Sequence, residues 1–292
     1  MANLFDARTS QDVIDCLSND EPINGRSPVG VNQTPFIYHC ENNNVEVAIT
    51  LLQYGCNINL RDIRRYTGLG YVCKNGNFEF LLKLLEYKEI RDSLNISSDG
   101  DSPLAVVCQY GHEDMFDLLI EYGADPKKFF SYSLPLLHYS CSADNLNITD
   151  KLLRLGVDIN ERSRNGKTAL FLCKSVDMFY HLYVYGPDLN IRDGSKLTAL
   201  HNMIIYRSNT NLLYDLVAVL LEHGANPNIS EFQGKTPLIS AINRQEKNIV
   251  ELLLKYGADP LIEHDYGKNA IDYANEIGNA DIIDLLENFT KS

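Results

Sequence analysis

Apolar residues along this chain come in short bursts broken by charge, Leu216–Leu221 and Ile249–Leu254 being among the longest. None approaches the roughly 18 apolar residues needed to span a bilayer. The residues around the bursts predict helices in pairs. A Thr or Ser before Pro, as at Thr34-Pro35, Ser102-Pro103 and Thr236-Pro237, reads as an N-cap followed by a first-turn proline. Gly76-Asn77 or Gly111-His112 then breaks the short first helix, and a second, amphipathic helix runs to a terminal glycine.

These signals recur. The marker tetrapeptide starts at 34, 67, 102, 135, 168, 198, 236 and 269, with spacings of 33, 35, 33, 33, 30, 38 and 33. A second marker, Leu-Leu-x-x-Gly followed by Ala-Asp, Ala-Asn or a variant, places glycine at 55, 123, 156, 186, 224 and 257, with Lys88 in the degenerate second position. First to second marker is 21 residues in five of seven intervals, and second to next first is 12 in six of seven. Two phase-locked signals identify a repeat, and a unit of this size cannot bury its own apolar face. Stacking supplies the core.

The segments Leu119-Ile-Glu-Tyr-Gly-Ala-Asp-Pro126, Leu220-Leu-Glu-His-Gly-Ala-Asn-Pro-Asn228 and Leu253-Leu-Lys-Tyr-Gly-Ala-Asp-Pro260 resemble ankyrin repeats, and the resemblance covers nearly the whole chain. It implies an all-α solenoid of helix–turn–helix units joined by β-hairpin fingers and curved into a concave groove. The expected organisation is a single continuous domain. An N-terminal cap and hairpin occupy 1–33, with a helix pair over 4–17. Seven repeats follow at 34–66, 67–101, 102–134, 135–167, 168–197, 198–235 and 236–268, and a C-terminal cap occupies 269–292. Three repeats are irregular: the second lacks its terminal Gly, the fifth is three residues short in its inter-helix turn, and the sixth carries five extra residues around Tyr206–Thr210.

A formal net charge of −13 argues against phosphate-binding, so neither nucleic acid nor an anionic membrane is an expected partner. The polar N-terminus lacks a signal-peptide core, which predicts a cytoplasmic chain, with the nucleus as an alternative. Four of seven cysteines share one column, Cys40, Cys73, Cys108 and Cys141. Helices packed about 10 Å apart hold successive members beyond the roughly 7 Å that a disulfide tolerates. No Cys-x-x-Cys or His-Cys spacing suits zinc, so the column reads as small apolar filler and no metal or cofactor is expected. His138 and His201 fall in the marker's fourth position, where the resemblance implies a local bond to the turn. His39, His112, His181, His223 and His264 are scattered without catalytic partners. Gly68-Leu-Gly70 lacks a dinucleotide fingerprint's third glycine, and Asp99-Gly100-Asp101 lacks the rest of a calcium loop. No catalytic residue is assigned.

Helical geometry orients the first helix of each repeat. At about 100° per residue, positions +2, +5 and +6 from the marker turn inward, whereas +4, +7 and +8 turn away. The resemblance places the latter on the groove. They include Tyr38, Tyr71, Tyr110 and Tyr139, with Lys74 beside them and Tyr206 further along. Tyrosine suits an interface anchor, although a +4 ring can equally pack on the neighbouring hairpin. Basic fingers add Arg61, Arg64, Arg65 and Tyr66, then Lys127 and Lys128, then Arg162, Arg164, Arg192 and Lys196, and solvated turns explain such charges as well. The expected function is a non-enzymatic scaffold, a monomer, binding an acidic and partly apolar segment of a partner protein. The alternative is an inhibitor or effector subunit, of a virus or intracellular bacterium, that blocks or recruits an enzyme.

Overall fold

The computed structural model describes residues 3–27, 30–95, 101–128, 134–206 and 210–291, with backbone alone at 210, 211 and 291. Helices account for its regular structure, as the repeat requires. The chain divides into two compact units, Met1–Val157 and Asp158–Ser292.

In the first unit α1 (Ser10–Ser18) precedes four helix pairs: α2 (Pro35–Glu41) with α3 (Val45–Gln53), α4 (Gly68–Asn75) with α5 (Phe78–Leu85), α7 (Pro103–Tyr110) with α8 (Glu113–Glu121), and α9 (Leu136–Ala143) with α10 (Leu146–Arg154). First helices stack in the order α2, α4, α7, α9. The marker residue works as expected: Thr34, Thr67 and Ser102 accept the N–H groups of Ile37, Gly70 and Ala105. Gly76, at φ +71°, ends α4, and a Cβ there would lie 2.6 Å from the His112 ring. Gly68 and Gly70 lie in the first turn of α4, where a Cβ on Gly68 would lie 2.5 Å from the Phe36 ring. Close helix packing, not a nucleotide, requires glycine at Gly68. Only α1 forms over the expected N-terminal pair, since residues 4–6 make a turn. Its buried Leu4 carbonyl meets His39 Nε2 at 2.7 Å.

The degenerate second repeat has a physical explanation. Where the others turn at Gly-Ala-Asp, the chain enters a further helix, α6 (Lys88–Ser93), which buries Ile90.

The second unit begins with a single 3-10 turn, Ala169–Leu172, paired with α11 (Val176–Tyr183). Then come α12 (Ala199–Tyr206) with α13 (Thr210–Glu222), α14 (Pro237–Asn243) with α15 (Lys247–Lys255), and α16 (Ala270–Ile277) with α17 (Ala280–Lys291). The shortened repeat has therefore lost most of its first helix, not only its turn. Part of the sixth-repeat insertion lengthens α13 to 13 residues, against nine in α15. Arg207, Ser208 and Asn209 of that insertion, like Ser98, Asp99 and Gly100, lie outside the described residues.

The fingers differ from the β-hairpins implied by resemblance. Among the described residues no strand forms. The described fingers at 62–66, 163–167 and 193–197 are tight turns closed by two backbone bonds each: Asp62 N–H to Tyr66 O at 3.1 Å with Arg65 N–H to Asp62 O at 3.0 Å, Ser163 to Lys167 at 2.8 Å with Gly166 to Ser163 at 2.7 Å, and Asp193 to Leu197 at 2.8 Å with Lys196 to Asp193 at 2.9 Å. Arms this short have no room for a ladder. Neighbouring tips join instead through single N–H···O bonds, Ile63 to Val31 at 3.1 Å and Gly194 to Asn165 at 2.8 Å.

An asparagine column adds a second tie. The side chains of Asn24 and Asn95 accept the N–H groups of Asn57 and Asp125 at 2.8 Å, and in the second unit Asn190 and Asn228 do the same for Asn226 and Asp259. All seven cysteine side chains are buried thiols, which fits small filler between helices.

Candidate partner-binding surface

Each tyrosine of the first-unit column has a different environment. Tyr38 is half-buried, edge-on to Phe5 with centroids 5.6 Å apart. Tyr71 is fully buried: its hydroxyl donates to Asp62 Oδ2 at 2.6 Å, while Asp62 Oδ1 accepts the Tyr66 N–H at 3.1 Å. Tyr139 is buried too, donating to Asp101 and accepting the Leu134 N–H at 3.3 Å. Burial first, then the carboxylate partner, pushes both phenol pKa values up, so both stay neutral. Tyr71 and Tyr139 are therefore not exposed anchors. Position +4 does point away from the core, but the Asp62–Tyr66 finger folds back over the ring. Tyr110 alone of the four stands in solvent, 42% exposed.

Lys74 occupies the space between them. Its ammonium lies 5.3 Å from the Tyr66 ring centroid, 5.6 Å from Tyr71 and 6.0 Å from Tyr110. Three ring faces around one cation form a cage, which fixes the lysine and lines up the exposed edge of Tyr110.

The finger arginines divide by what their guanidinium groups hold. Arg26 donates to Asn32 O at 2.8 Å and to Arg61 O at 2.6 Å, and Arg61 donates to Arg65 O at 2.6 Å. In the second unit Arg162 donates to Gly166 O at 3.2 Å and Arg192 O at 2.6 Å, and Arg192 to Lys196 O at 3.2 Å and Ser230 O at 2.7 Å. Arg61, Arg162 and Arg192 are thus backbone straps, not open carboxylate forks: carbonyls left unpaired at the turns have taken their donors. Arg64 reaches Glu41 at 3.4 Å. The side chains of Arg65 and Arg164 are exposed and make no hydrogen bond or ion pair with a described residue.

The second unit holds a set that the first-helix columns only partly revealed. Lys167 lies 5.8 Å from the Tyr206 centroid, Lys196 5.4 Å from Phe232 and Lys235 5.8 Å from Tyr273. Lys167 and Lys235 both precede the marker Thr, a column whose side chains reach the next repeat, as Asp101 does for Tyr139. That column was the readable signal.

His39, His112, His201 and His264 bond to backbone or turn groups. Buried His201 has Nδ1 3.0 Å from Thr198 Oγ1 and Nε2 3.4 Å from Lys235 O. His39 bridges Leu4 O and the Asn44 amide, His112 Nε2 meets Lys74 O at 3.2 Å, and His264 Nδ1 accepts the Tyr266 N–H at 2.8 Å. Among the described residues no three His, Cys, Asp or Glu side chains gather as metal ligands, and no helix is long and apolar enough to cross a membrane.

A family model described as ankyrin repeats in three copies matches residues 36–130, 173–264 and 213–291. A putative ankyrin repeat protein of fowlpox virus is 24% identical over 235 residues, covering 70% of this chain and 40% of its own length. A second from fowlpox virus is 28% identical over 272 residues, covering 69% and 55%. A putative ankyrin repeat protein of Acanthamoeba polyphaga mimivirus is 27% identical over 188 residues, covering 60% and 23%. The chain thus spans about half the length, or less, of these curated relatives. With the repeat period, paired helices and family match in agreement, the chain belongs to the ankyrin repeat family.

Proposed function

We propose that this protein is a non-enzymatic recognition module that holds a segment of a partner protein against its first helices and fingers. Ankyrin repeats are generally protein-interaction modules. The observation that carries the reading here is the first-unit platform, where exposed Tyr110 stands beside caged Lys74 with Arg64 and Arg65 on the adjoining finger. A fixed aromatic next to cations offers contact area at low entropic cost.

Affinity capture with cross-linking and mass spectrometry tests it. Cross-links should fall on residues 61–75 and 106–112, and Tyr110→Ala should weaken binding by about 2 kcal/mol through faster dissociation. Arg64→Glu with Arg65→Glu should mainly lower the association rate. Cross-links confined to the second helices, with both variants binding as wild type, would overturn the reading. A second reading, an inhibitor or effector that acts on an enzyme, is favoured by the viral relatives. It expects the captured partner to be an enzyme whose activity changes on binding.

A further inference from the structure

Where the fingers of the second unit meet the ends of α12 and α14, exposed rings alternate with lysines. Tyr206 is 67% exposed at the end of α12, Phe232 is 67% exposed on one finger and Tyr266 is 79% exposed on the next. Lys167 stands over Tyr206, Lys196 over Phe232 and Lys235 over Tyr273. Lys167 also stands over Phe171 and donates to Asn202 Oδ1 at 2.9 Å, so Lys196 and Lys235 are the cations offered to a ligand here, each with its stem steadied by a ring. A cleft of about 270 Å³ opens beside Lys235, lined also by Ile205, Ser240, Asn243 and Arg244. Glu231 also lines it, with its carboxylate on the Gln233 N–H at 3.1 Å. Of the other carboxylates here, Asp193 accepts the Ser195 and Leu197 N–H groups and Glu276 pairs with Lys268. The second helices of the same unit present a wider cleft lined by Asp215, Glu246, Glu251 and Lys255, and Glu246 also pairs with Arg244 at 3.6 Å.

We propose that this row docks an extended, acidic segment of a partner protein, its carboxylates on the lysines and its aromatic or aliphatic side chains between the exposed rings. The spacing follows from the stack. Packed helices lie about 10 Å apart and an extended chain advances about 3.3 Å per residue, so every third residue meets the next repeat. The inference rests on the partner-binding reading and places a particular chemistry on a surface separate from the Tyr110 platform. Single-stranded nucleic acid also seeks cations and stacking faces. Here each paired ring already has an ammonium over one face, and the chain carries a net charge of −13, so a peptide with intermittent charge fits better.

The test uses the whole chain and three labelled probes. One is a capped peptide of four Glu-Ser-Phe triplets, the second has the same composition with its glutamates contiguous, and the third is an oligothymidine of similar length. By fluorescence anisotropy the spaced peptide should bind about tenfold more tightly than the contiguous one, and Lys196→Glu with Lys235→Glu, or Phe232→Ala, should weaken it about fivefold. Both variants should unfold at the wild-type temperature, which separates lost contacts from lost structure. Equal affinity for the two peptides, no binding at millimolar peptide, or oligothymidine binding as tightly would overturn the proposal. If affinity capture succeeds with cross-links only on the Tyr110 platform while the spaced peptide fails, this surface falls and the partner-binding reading stands.

Discussion

Tyr71 shows how direction and exposure part company in this fold. Its helical phase points it away from the core, yet the ring is fully enclosed and its hydroxyl is fixed on Asp62, which is itself buried. Two substitutions separate packing from hydrogen bonding. Tyr71→Ala should cost about 3–5 kcal/mol, as for other large aromatic truncations, and Tyr71→Phe about 1–3 kcal/mol from the partner withdrawn from a buried carboxylate. Urea unfolding measures both, and a Tyr71→Ala variant as stable as wild type would show the ring to be dispensable. His201 makes a second prediction, in pH. Burial pushes its pKa down to about 4, against an ordinary value near 6.5. Between those values the unfolded chain takes up a proton that the folded chain refuses. Stability therefore falls as pH drops from about 6.5 to about 4, by up to about 3 kcal/mol, with no further loss from this group below that. Burial shifts His39 in the same direction. Replacing His201 with Gln should make the fall of unfolding free energy over that window shallower, whatever it does to stability at neutral pH. An unchanged slope would assign the acid sensitivity to other groups.

Elements show where the sequence could and could not be read. The N-capping Thr or Ser and the glycine nine residues later are local codes, because each sets a backbone state by itself, and the helices appear where those codes stand. The irregular repeats needed more. The missing Gly at Lys88 said that a turn was absent, but not that α6 would replace it, since Ile90 finds its burial only against the stack. The three residues missing after Thr168 read as a lost turn, whereas the chain gave up the helix and kept Ser175 as the cap of α11. A 3-10 turn of four residues offers few backbone bonds to protect. Amides of residues 169–183 should therefore exchange before those of α14 and α15, and hydrogen exchange read by mass spectrometry checks this. Uniform protection across the second unit would count against it. The same limit applied to the binding surface: Tyr110 and Lys74 were legible from phase, but the strapped arginines were not, because a sequence does not show which turn carbonyls lack a donor.

At the scale of the whole molecule the period carried the fold, since helices repeated in phase must bury their apolar faces against one another. Charge carried less. A net −13 does not reveal that three lysines of the second unit stand over aromatic rings. The straps have one more consequence, for heredity. Arg162 holds the Arg192 carbonyl, Arg192 holds the Ser230 carbonyl, and Asn190 and Asn228 hold backbone N–H groups one repeat on. Each tie grips main chain, which every residue other than proline offers alike, so the joint does not inspect the side chain next door. A gene built this way can lose, duplicate or exchange a repeat and still splice the new neighbour into the same joint, leaving selection free to rewrite the exposed surface.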